Sequence, residues 1–223
     1  MQRTKLIDRT LPDYTVGEEI FNMVSHIVGA LLGVAALVIC ILTAHSHSNT
    51  WGVVTGSIYG ATLILLYTMS SVYHGLRPNM GKKVLQVIDH CTIYFLIAGT
   101  YTPILLSAVR KVSPGWAWTI FGIVWGLSIT ACVFTAIDLK KYSKLSMICY
   151  LGIGWCIVIA IKPTLASLGI EGFMYILVGG ISYSVGSILY GIGKKKRYMH
   201  SIFHLFVLLG SILHFIGIIK YVL

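Results

Sequence analysis

The sequence predicts an all-α, polytopic membrane protein: a seven-transmembrane helix bundle with a cytoplasmic N-terminus and an extracellular C-terminus. Three observations predict it. Of 223 residues, 57% are hydrophobic and only 11% charged, and the mean hydropathy is +0.84, so the polar surface a soluble chain of this length needs is missing. The apolar residues fall in continuous runs near the ~20 residues that cross a bilayer, not in the ~10-residue alternating segments of a membrane barrel. Lys and Arg, finally, are concentrated in every second segment between the runs.

The runs occupy residues 20–44, 51–73, 87–109, 116–137, 145–161, 172–192 and 202–223, and make one domain over 1–223. Residues 1–19, MQRTKLIDRTLPDYTVGEE, are polar; they read as a short cytoplasmic segment with no cleavable signal, so the first run itself starts insertion. Thirteen of the 17 Lys and Arg residues, including Arg3, Lys5, Arg9, Arg77, Lys82 and Lys83, lie on the N-terminal side of the bundle. Four (Arg110, Lys111, Lys162, Lys220) lie on the other, which places the N-terminus inside. The formal charge of +10 is therefore met by anionic lipid, and no nucleic-acid partner is expected.

Within the runs, Pro103 removes a backbone hydrogen bond from the third and is expected to kink it. The GxxxG pairs Gly29/Gly33, Gly56/Gly60 and Gly122/Gly126 read as packing features. Cys40, Cys91, Cys132, Cys149 and Cys156 are odd in number and lack CxxC spacing, so they read as packed thiols.

Against this background a few polar residues are out of place. His74 ends the second run with Ser70 one turn before it, Asp89 opens the third, and His200 and His204 open the seventh. All five fall at the cytoplasmic depth. His200 and His204, at i and i+4, share a helix face across a rise of ~6 Å and can hold one ion at Zn–N distances of about 2 Å. With His74 as third ligand, the fourth tetrahedral position stays open for water, as in catalytic zinc sites. Asp89 is then placed to bond that water and Ser70 to orient His74. The competing reading is that these are interfacial histidines tolerated for their amphipathic rings. Against it stands the intramembrane carboxylate, which costs on the order of 3 kcal/mol and calls for a partner.

Glu18, Asn22 and His26 lie on one face at the start of the first run, with Glu19 beside them, and are candidates for supporting or gating the site. An acidic helix N-terminus is also ordinary. His90 is expected to point away from Asp89, His45 and His47 to be solvated, and His214 to lie too far from His204, ~15 Å along the axis, to share its metal.

SxxxH (Ser70, His74), IDHCTIYFLIAGTYTP around Asp89, HSIFH (His200, His204) and EEIFNMVSHIVG near the start together resemble the hemolysin III family. These are the bacterial members of the progestin and adipoQ receptor group, similar to adiponectin receptors and alkaline ceramidases. The resemblance spans nearly the whole chain. It implies zinc on His74, His200 and His204 near the cytoplasmic face, with Asp89 reaching it through water and Ser70 close by.

Two functions remain open at this stage. One is a zinc-dependent hydrolase of lipid amides or esters, ceramidase-like, with a membrane lipid as substrate and Asp89 as proton shuttle. The other is a cytolysin, or a non-enzymatic regulator of membrane lipids in which zinc staples helices. A single-chain channel needs a polar stripe through the full depth of the bundle, and the outer halves of these runs carry few ionisable groups. Nothing in the sequence names a protein partner.

Overall fold

The structure is a computed structural model that describes residues 4–193 and 196–223. Arg3, Lys194 and Lys195, which enter the charge pattern, lie outside the described residues. Among the described residues every regular element is helical: α1 (Val16–Ser46), α2 (Thr50–Gly75), α3 (Met80–Pro103), α4 (Pro114–Ile137), α5 (Ser143–Gly154), α6 (Ile161–Gly193) and α7 (Met199–Tyr221), with shorter turns between.

Local chemistry sets the helix starts. Thr15 and Glu18 form a reciprocal capping box at α1, while Asn49 and Asn79 accept from the Gly52 and Lys82 backbone N–H groups at α2 and α3. α4 opens on Pro114, where the missing donor costs nothing. The start of α7 is less ordinary, because Tyr198 before it is left-handed at φ 60. Its N–H donates 2.7 Å to Glu18, a strong bond that offsets the backbone strain.

The helices are turned inside out relative to those of a soluble protein. α1 exposes Ile20, Val24, Leu31, Val38 and Leu42 and buries Glu18, Asn22, His26, Gly29, Gly33 and Cys40. Large apolar side chains face lipid, small and polar ones the interior, as expected where the solvent is hydrocarbon. The chain is a multi-pass membrane protein.

α1 packs on α2, α2 on α3, α3 on α4, and α7 returns against both α6 and α1. The glycine pairs divide. A Cβ on Gly60 would sit 2.6 Å from the Leu37 Cα, and one on Gly29 2.5 Å from the Tyr67 ring, so these glycines set the α1–α2 approach. Gly122 and Gly126 have nothing within 4 Å and face outward.

One expectation changes, and a second is met only in part. At Pro103 the α-helix gives way to a buried π-helical turn, Ile104–Val109, which absorbs the missing donor by a change of helix type. The second concerns the count. Among the described residues six stretches are long and apolar enough to cross a membrane, and runs 145–161 and 172–192 both fall within one of them, Ser143–Ile192, of 50 residues. That stretch carries a 3₁₀ turn at Cys156–Ala160 and a non-helical Gly169 at φ 66, ψ 175, a region essentially closed to other residues.

Candidate metal centre

Two helix ends bring three histidines together at the N-terminal side of the bundle. The last turn of α2 supplies His74, and the first two turns of α7 supply His200 and His204. All three are buried, and their ligand atoms lie within 4.8 Å of one another. The His200 Nε2 is 3.4 Å from that of His74 and 3.1 Å from that of His204. Tetrahedral bonds of ~2.0–2.1 Å place ligand nitrogens roughly 3.3 Å apart, which these two separations match; the third pair, within 4.8 Å, closes on one zinc-sized ion with a small side-chain turn.

The tautomer of His74 follows from its surroundings. Its Nδ1 lies 2.6 Å from Glu19 Oε2, and since a carboxylate only accepts, Nδ1 carries the proton and the Nε2 lone pair faces the cluster. The other Glu19 oxygen accepts from Lys82 Nζ at 2.5 Å, and Lys82 also donates to the Leu76 carbonyl. A lysine expected between the runs, against lipid headgroups, is thus buried, and it holds the carboxylate that orients His74.

Ser70 is buried and lines a cavity next to the cluster, but the partner of His74 is Glu19. Asp89 lines the same cavity as Ser70, His200 and His204 while lying outside the three-residue ligand group. His90 does not point away, as expected; it lines that cavity too, with Nδ1 3.8 Å from the Asp89 carboxylate. Consecutive residues are only ~100° apart around a helix, and a broad cavity admits both. His90 Nδ1 donates to the Gln86 carbonyl, which leaves Nε2 to accept from the Tyr190 hydroxyl at 3.2 Å.

The α1 acids and their neighbours part company. Glu18 is consumed by the helix caps of Thr15 and Tyr198. Asn22 and His26 are buried with no hydrogen-bond partner for their side chains, and the His26 ring stacks on His204 at 3.7 Å. His214 is buried deeper, with Nε2 donating to the Ile176 carbonyl. His47 is exposed and its Nδ1 donates to the Leu223 carbonyl.

Below the histidines the cavity, about 150 Å³, is apolar. It is lined from Asp89 on α3 to Ile104 in the π-helical turn, about 22 Å at helical rise, with Leu66, Trp155, Phe173 and Phe203 among its walls. Above them, residues 4–15 form a strap across the helix ends. Thr4 N donates to Asp138, Lys83 Nζ to the Ile7 carbonyl, and Arg197 to the Asp13 carbonyl. Tyr14, at the end of the strap, stacks on His200 with ring centroids 5.0 Å apart. Burial pushes the Tyr14 phenol far above its ordinary pKa, so it stays protonated over the site. Neither Glu19 as the partner of His74 nor Tyr14 as a cover is marked by a motif; the only signal was the acidic pair at the start of the first run.

Fold and site together define a multi-pass helical membrane protein with a buried three-histidine group suited to a metal ion. The chain belongs to the haemolysin-III related family, whose model matches residues 14–215. It is 40% identical over 208 residues to Hemolysin-3 of Bacillus cereus, covering 93% of each chain. To the Hemolysin-3 homolog of Bacillus subtilis (strain 168) it is 41% identical over 208 residues, 93% of this chain and 96% of the other. The Monocyte to macrophage differentiation factor of Homo sapiens is a more distant relative, 26% identical over 218 residues that cover 93% of this chain and 85% of that one.

Proposed function

We propose that the protein is a zinc-dependent hydrolase of acyl bonds in a membrane lipid, working at the cytoplasmic leaflet. The observation that carries this reading is the convergence of three imidazole nitrogens, spaced for one ion, at the polar end of an apolar cavity. Its apolar wall follows ~22 Å of helix, more than the ~15 Å depth of one leaflet's hydrocarbon, so the cavity receives the carbonyl end of an acyl chain whose remainder runs along that wall. An all-nitrogen tetrahedral set favours zinc over harder cations.

The site lies under cytoplasmic headgroups if the chain crosses seven times with its N-terminus inside. A break at Gly169 divides the 50-residue stretch into 143–168 and 170–192, about 39 and 35 Å long, each sufficient for a ~30 Å core. The basic-residue asymmetry supports the direction.

The residues divide the work. His74, His200 and His204 hold the ion, and Glu19 keeps the His74 lone pair facing inward. Zinc bound there supplies a Lewis acid that polarises the acyl carbonyl and acidifies water near neutral pH. Asp89 takes the proton of the attacking water and returns it to the leaving amine or alkoxide, so that a carboxylate and the protonated headgroup fragment leave. Ser70 offers a hydroxyl to the bound acyl group, and Tyr14 limits the access of bulk water.

The test is fatty acid release from ceramides and phospholipid esters by purified, zinc-loaded protein, with chelated protein as control. Asp89→Asn should lower turnover by about 10²-fold or more while zinc stays bound. If no substrate gives chelator-sensitive release, the hydrolase reading fails, and the histidines then serve as a staple between α2 and α7 in a cytolysin or lipid regulator. The names of the two Bacillus relatives favour the cytolysin as that second reading.

A further inference from the structure

Between the strap and the ends of α3, α5, α6 and α7 lies a second cavity, about 800 Å³. His90, Met147, Tyr150, Tyr190 and His200 line both cavities, so the two adjoin past the histidine cluster, separated by those side chains alone. Its character is the reverse of the inner one. Arg9, Lys140, Lys144, Lys196 and Arg197 line it, against two acids, Asp13 and Glu18.

Those acids are already engaged: Arg197 lies 3.6 Å from Asp13 and 3.4 Å from Glu18, and Glu18 also accepts from the Tyr198 and Thr15 backbones. The lysines have no ion-pair partner among the described residues. Arg9 is the unusual member. It is only 5% exposed, yet its Nε and Nη1 have no hydrogen-bond partner; Nη2 alone donates, at 3.3 Å, to the Ile137 carbonyl. Asp138 stands near it, but the two carboxylate oxygens are taken by the Thr4 and Lys141 backbone N–H groups. Nε and Nη1 are closed off from the cavity as the side chain stands, but a buried guanidinium with two idle donor atoms is costly to keep, and a small turn toward the cavity offers it the oxygens of a phosphate, which its planar fork matches.

We infer that the outer cavity is a phosphate subsite centred on Arg9, and that the lipid taken by the site carries a phosphate in its headgroup. The inference rests on the lipid-hydrolase reading for the identity of the rest of the ligand. One amphiphile then fills both cavities: acyl chain beneath the histidines, acyl carbonyl beside His200 and Asp89, phosphate against Arg9 with Lys140 and Lys144 around it. A neutral ceramide would leave the outer cavity's charge unanswered.

Equilibrium binding to the full chain in neutral detergent tests this with three probes: phosphatidic acid, a neutral ceramide and inorganic phosphate. Phosphatidic acid should bind tighter than ceramide, and Arg9→Gln should weaken it by about tenfold or more while leaving ceramide binding unchanged. Because Arg9 also anchors the strap, the Lys140→Gln/Lys144→Gln double variant, confined to exposed side chains, should weaken phosphatidic acid in the same direction; exposed Arg77→Gln should not. Equal affinity for phosphatidic acid and ceramide, unchanged in both variants, would overturn the inference. Inorganic phosphate that binds as tightly as the lipid would overturn its lipid part and assign the subsite to free phosphate. Fatty acid release is read on the same samples: release that persists without headgroup selectivity sinks only the subsite, and Arg9-dependent binding without release sinks only the hydrolase.

Discussion

Glu19→Gln separates a metal centre from a chance meeting of three histidines. The carboxylate accepts from His74 Nδ1 at 2.6 Å and Lys82 Nζ at 2.5 Å. Glutamine keeps the shape, but its neutral amide has one accepting oxygen for two donors, and its NH₂ is turned toward one of them. His74 is then no longer held in one tautomer. Carboxylates that orient ligand histidines typically contribute 10–100-fold in metal affinity, about 1.4–2.8 kcal/mol, and Glu19 should fall in that range. Lys82 is left buried with only the Leu76 carbonyl, so global stability falls as well. Adding Lys82→Met removes the orphaned charge and should restore much of the melting temperature without restoring zinc. Zinc affinity would be measured by competition with a chromophoric chelator in detergent, beside thermal unfolding, with Glu171→Gln, far from the site, as control. An unchanged affinity in Glu19→Gln, or one that returns with Lys82→Met, refutes the assignment of Glu19 to the metal.

Three further outcomes are expected. A reporter fused after Leu223 should be extracytoplasmic and one placed near Lys83 cytoplasmic; finding both on one side overturns seven crossings. Gly60→Ala, which drives a methyl to 2.6 Å from the Leu37 Cα, should destabilise the fold by about 1–3 kcal/mol, whereas Gly122→Ala, in open space, should be near neutral in the same thermal unfolding assay. The strap should loosen in acid. Burial raises the Asp138 pKa, but the Lys141 and Thr4 donors and the nearby Arg9 charge outweigh it and hold the carboxyl below its ordinary 3.8. Its stabilisation is therefore full above that value and lost as pH falls through the depressed one. Asp138→Asn should remove this part of the acid dependence of the melting temperature, and an unchanged dependence would exclude Asp138 as the anchor.

The sequence by itself determined the class of protein and singled out the three histidines of the candidate metal centre. Hydropathy acts residue by residue, so runs that must lie in lipid are visible without knowing what they touch. A histidine or carboxylate inside such a run is conspicuous because lipid makes it costly, which is why His74, Asp89, His200 and His204 stood out and why Ser70 could be placed one turn from His74. The i, i+4 spacing of His200 and His204 is a property of one helix, and it survives in the structure as a 3.1 Å approach of their nitrogens.

What only the tertiary structure decided depends on how separate helices are rotated and on where a polar segment folds back. Glu19 reaches His74 across 55 positions and Arg9 reaches Ile137 across 128; neither separation leaves a local periodicity. Glu18 and Glu19 are indistinguishable in sequence, and the ~100° between them sends one to the helix caps and the other to His74. Residues 1–19 read as a short polar segment, but residues 4–15 become a cover because their backbone carbonyls and N–H groups find partners on helix ends distant in the chain. The 50-residue stretch shows the same divide: composition alone suggests two runs, and only the backbone at Gly169, at φ 66, shows where one helix direction stops and another starts.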